Sequence, residues 1–74
     1  MNIMVLTMNN TIMESDYSAL NEFESDDVLY AVKEFKRIRV KNKIPSFKYE
    51  GKTGLLITVS ITKHNNIHVN WRVK

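Results

Sequence analysis

The chain has no cysteine. That absence excludes disulfides, thiol catalysis and cysteine-ligated zinc or iron sites. It also fits a reducing compartment, so the expected location is the cytoplasm. There is one proline, and there are two glycines, both within the short stretch 51–54. A glycine-rich phosphate loop is therefore ruled out. Long apolar runs are missing too. Ile3 to Leu6 is typical of what occurs, far below the roughly 20 residues that a membrane-crossing helix requires. The apolar start, Met1 to Met8, lacks a basic leader and does not read as a signal peptide. Met8 could itself be the start of translation, with the first seven residues an extension.

The most informative absence is of one sign of charge. No Lys or Arg precedes Lys33, whereas Glu14, Asp16, Glu22, Glu24, Asp26 and Asp27 all do. From Lys33 onward there are eleven bases against Glu34 and Glu50. The chain thus has an acidic part of −6 and a basic part of +9, for a net +3. Charge polarity of this kind bears on recognition, not on fold.

Seventy-four residues make one domain. A core of that size supplies only about 3–5 kcal/mol of net stability. With 43% hydrophobic residues the chain is expected to fold. Asn, Lys and Ile together account for 23 residues. Their codons are AT-rich, which points to a gene from a low-GC bacterium or from a phage or mobile element within one.

Hydrophobic periodicity gives the elements. Leu55, Ile57, Val59 and Ile61 alternate with Leu56, Thr58, Ser60 and Thr62. Ile67, Val69, Trp71 and Val73 alternate in the same way beyond the turn His64-Asn65-Asn66. Two period-two runs joined by an Asn-rich turn predict a β-hairpin with one buried face. Phe47 and Tyr49 predict a preceding strand, joined through Gly51-Lys52-Thr53-Gly54. The expected meander covers 46–50, 55–63 and 67–73.

Before it, Val28, Ala31, Val32, Phe35 and Ile38 recur at helical spacing. This predicts a helix over 26–40, with Ser25 as N-cap and Asp26 and Asp27 at the positive end of its dipole. Arg39 falls in the apolar stripe, so the helix should fray there or the Arg stem should snorkel outward. Residues 1–13 read as a strand or hairpin, and 15–24 as an acidic segment in which Ser15 could cap a short helix. The expected fold is a small α+β domain: an antiparallel three- to four-stranded sheet packed by one main amphipathic helix.

Catalytic constellations are not evident. The carboxylates cluster along 14–27, where capping and solvation account for them, and the hydroxyls of the sheet lack an accompanying base. His64 and His68 are four residues apart, about 13 Å along a strand, too far to share a metal. Neither a metal nor a cofactor is expected, and the chain is not read as an enzyme.

Two surfaces remain as candidates. The acidic segment carries Tyr17, Leu20 and Phe23 among Glu22 and Glu24, a mixture suited to docking on a basic protein groove. The basic set comprises Lys33, Lys36, Arg37, Lys41 and Lys43, with His68, Arg72 and Lys74 on the outer sheet face. Lys, Arg and hydroxyl side chains are those that contact phosphates. The outer face, however, lacks the aromatics on which bases would stack. In size and composition the chain resembles the short, cysteine-free products of low-GC phages and mobile elements. That resemblance implies a protein that binds and modulates or inhibits a host protein. Nucleic-acid binding is the alternative. The oligomeric state, a homodimer included, is left open.

Overall fold

The computed structural model describes residues 2–16 and 20–74. Strands β1 (Ile3–Leu6) and β2 (Ile12–Asp16) form an N-terminal hairpin. Helix α1 (Glu22–Asn42) follows, then β3 (Ser46–Glu50), β4 (Leu55–Ile61) and β5 (Ile67–Val73). The sheet has five strands, one more than the upper expectation, in the order β2-β1-β5-β4-β3. All neighbouring pairs are antiparallel. The additional strand arises because β1 pairs with β5, which brings the whole N-terminal hairpin into the meander's sheet. The C-terminal meander is as its alternation predicts, except that β4 ends at Ile61.

The helix starts earlier than its apolar spacing suggests. Asn21 is the N-cap, not Ser25, and its side chain accepts the Glu24 N–H at 2.8 Å. Glu24 returns the bond to the Asn21 N–H at 3.1 Å, completing a capping box. Ser15, a candidate cap for a short helix, lies instead in β2. At the other end α1 continues through Arg39 to Asn42 and stops at Lys43, which is left-handed at φ 49°. Arg39 snorkels as its position requires, and its Nη1 donates to the Ile44 carbonyl at 3.1 Å.

α1 packs on β4, β3 and β5. Val28, Ala31, Val32 and Phe35 of α1 are buried against Leu55, Ile57, Val59, Ile67, Val69 and Trp71 of the sheet. Trp71 is 5% exposed and belongs to the core shared by helix and sheet, on the buried face that its alternation predicts. Met4 and Leu6 of β1 extend the core beyond the helix, and Leu20 packs against it. The opposite face of the sheet has no element across it among the described residues. No helix among these residues is long and apolar enough to cross a membrane.

Candidate functional site

The solvent side of α1 carries more apolar surface than a structural helix needs. Phe23 is 69% exposed, Leu29 56%, Tyr30 47% and Val40 83%. Phe23, Leu29 and Tyr30 lie within two turns of one another, among Glu22 and Asp26. Lys33, Arg37 and Lys41 continue the exposed face towards the C-terminus. The helix therefore presents an acidic, apolar first half and a basic second half.

One flank of that face borders β3. Phe23, Asp26, Asp27, Tyr30, Tyr49, Lys52 and Thr53 line a cleft of about 630 Å³ between the helix and the β3–β4 turn. The Tyr30 and Tyr49 rings meet at 5.2 Å between centroids with a 49° tilt. Phe47 stacks on Tyr49 at 6.4 Å and 14°. Burial raises the Tyr49 phenol above its usual range, and the Asp27 carboxylate adds to the effect.

The floor of the cleft is held by Asp27. Sequence spacing made it a helix-start residue, but it is the one buried charged residue of the described core. Its carboxylate accepts the Lys52 N–H at 3.1 Å, the Thr53 N–H at 2.9 Å and the Thr53 hydroxyl at 2.5 Å. Desolvation pushes its pKa up, yet the Thr53 hydroxyl and the two amides outweigh that and hold it below the ordinary carboxylate value. Asp27 thus ties the helix to the β3–β4 turn and is a positioning group.

The acidic-segment candidates divide. Tyr17 lies outside the described residues. Leu20 is half-buried in the core and unavailable as an anchor. Glu24 is used by the capping box. Phe23 and Glu22 remain on the exposed face. Leu29 and Tyr30 were missed by periodicity reading, although a signal existed: two large apolar residues off the stripe of Val28, Ala31, Val32 and Phe35.

The basic candidates also divide. Lys36 Nζ donates to the Met8 carbonyl at 2.8 Å and to Asn10 Oδ1 at 2.6 Å, tying the β1–β2 turn to the helix. Arg37 pairs with Glu34 at 3.0 Å, which lowers the Glu34 pKa and raises that of Arg37. Lys74 pairs with Glu50. Lys33, Lys41 and Lys43 are exposed on the helix side, whereas Arg72 and the half-buried His68 lie on the uncovered face of the sheet. The sheet separates the two sets, so they cannot form one binding surface.

That uncovered face is mixed in charge. Cross-strand register gives one row of Ser46, Ser60, His68, Val5 and Glu14. The next holds Lys48, Thr58, Asn70, Ile3 and Asp16, and a third holds Glu50, Leu56 and Arg72. Three carboxylates stand among three basic side chains, with no Phe, Tyr or Trp ring to stack on. Such a face neither attracts a phosphate backbone strongly nor offers a base platform.

Compared with family models, curated proteins and solved structures, the chain matches none.

Proposed function

We propose that the chain is a non-enzymatic protein-binding domain that docks through the exposed face of α1. In this reading it acts as a modulator of a host protein, in the manner of short mobile-element products. One observation carries the docking surface: on the solvent side of α1, Phe23 and Tyr30 stand 69% and 47% exposed along the flank towards β3, and Leu29 stands 56% exposed along the flank towards β1. A domain this small has few apolar residues to spare, and leaving three in water on the solvent side of its helix costs stability without a folding gain. Aromatic and aliphatic anchors of this sort dominate protein interfaces, while charges at the rim tune association. Glu22 and Asp26 beside them favour a partner groove with basic edges.

The test is affinity capture from a low-GC bacterial lysate, with and without nuclease, using wild type and a Phe23→Ala/Leu29→Ala variant. Both residues are exposed, so the variant should keep the wild-type circular dichroism spectrum and melting temperature. The expected result is a protein partner retained after nuclease and lost with the variant. Capture that vanishes with nuclease but persists in the variant would replace protein docking with nucleic-acid binding.

A further inference from the structure

We propose that β3 is a self-complementary edge through which two copies of the chain join into one continuous sheet. β3 and β2 are the two edges of the sheet. In the β3–β4 ladder the Gly51 N–H donates to the Leu55 carbonyl at 2.8 Å, and the Ile61 N–H to the Pro45 carbonyl at 3.3 Å. Hydrogen-bonded pairs alternate along an antiparallel ladder. The backbone groups of Phe47 and Tyr49 therefore face β4, and those of Ser46, Lys48 and Glu50 face outward. They form a ready template for another strand.

The usual protections of an edge are weak here. The register with β4 is continuous from Ser46↔Ser60 to Glu50↔Leu56, without a bulge. Pro45 precedes the strand and leaves its outward amides in place. The remaining guard is charge, and the charges suit a second copy. An antiparallel pairing with Lys48 opposite the second copy's Glu50 places its outward amides opposite outward amides. Symmetry repeats that ion pair, giving two. Tyr49 then stands opposite its own counterpart at the closely spaced, non-hydrogen-bonded position, where aromatic pairs gain most. Glu50 already pairs with Lys74, but both side chains are more than half exposed, and its second oxygen remains available. The other edge offers no such solution. β2 carries Glu14 and Asp16 and no base, so no antiparallel register can match its acids with bases.

The twofold axis of this pairing is perpendicular to the sheet, which puts both helices on the same face. The two clefts lined by Phe23, Tyr30 and Tyr49 then meet over the seam. A dimer built this way presents two helices side by side and would engage a repeated partner with avidity.

Sedimentation and light scattering from low to high micromolar concentration test the inference, with amide exchange read at the same concentrations. The expected result is a concentration-dependent dimer, with the Lys48 and Glu50 amides gaining protection as it forms. Lys48→Glu creates two like-charge pairs and should weaken the dimer by roughly ten-fold or more. The charge swap Lys48→Glu/Glu50→Lys should restore much of the loss. Lys48→Pro removes an outward amide that the monomer does not use, so it should abolish the dimer and leave the melting transition cooperative. A wild type that stays monomeric throughout overturns the proposal, as does a dimer indifferent to Lys48→Glu. A strand from another protein occupying β3, with no self-association, overturns it as well.

Discussion

Asp27 shows how one carboxylate can be taken out of solvent and remain ionised. Three donors surround it, from Lys52 and Thr53, and they outweigh the cost of its burial. Its folded pKa lies below the usual 3.8. The sign follows directly. The turn contact contributes fully above that usual value and fades as pH falls through the lower folded value. Asp27→Asn should therefore lower the urea midpoint at neutral pH, and its difference from wild type should narrow in acid. A difference that is unchanged across the acid range would deny the carboxylate this role. Gly51 is required by the same contact. A Cβ there would meet the Asp27 carboxyl carbon at 2.5 Å and its Cβ at 2.9 Å. Gly51→Ala should cost about 1–3 kcal/mol in chemical denaturation, through overpacking rather than through backbone strain. Gly54 differs, with open space around it and φ at 91°, so its constraint is conformational.

At the scale of the element, α1 is held at both ends and on both flanks. The Asn21–Glu24 box closes its start, the Asp27 contact fastens it to the β3–β4 turn, and Lys36 fastens it to the β1–β2 turn. Asn21→Ala should remove about 1 kcal/mol of stability in urea titration. Phe35 is fully buried and Lys33 is exposed, so their alanine variants test the helix phase. Phe35→Ala should cost about 3–5 kcal/mol, and Lys33→Ala should stay within about 0.5 kcal/mol of wild type. Comparable losses at the two positions would contradict the observed packing. The apolar stripe of α1 was legible because 3.6-residue spacing is imposed by the core. Its start was not, since Asn21 and Glu24 act by local hydrogen bonds that carry no periodicity, and Ser25-Asp26-Asp27 imitates a cap.

For the whole molecule, the sheet divides the basic residues into two sets with opposed outlooks. A phosphate-binding protein would place its bases on one surface, and its affinity would fall with salt by about one log–log unit per contact. We expect weak binding to duplex and single strands at physiological salt, measured by fluorescence anisotropy. Tight binding that is lost in Lys33→Glu/Lys41→Glu would transfer the function to nucleic acid. Trp71 reports on the global fold. Its emission should be blue-shifted in the native state, and Trp71→Ala should cost about 3–5 kcal/mol, enough to unfold much of the population.

Period-two alternation from Leu55 to Trp71 was sufficient to define the meander, its inward residues and the burial of Trp71, because a half-buried strand must alternate; Val73 shares that register but lies beyond the edge of the core and is 78% exposed. The charge division at Lys33 and the lack of cysteine were likewise properties of the chain alone. The pairing of β1 with β5 depended on contacts more than sixty residues apart, which no local pattern encodes. The fates of Phe23 and Leu20, three positions apart in one acidic segment, were decided by where the helix met the sheet: Leu20 joins the core and Phe23 stays in water. Lys36 and Asp27 likewise became ties between elements only when folding brought the Asn10 and Thr53 turns beside the helix. A side chain's chemistry is carried by its residue type, but its partner is chosen by distance, and distance in this protein is set by tertiary packing.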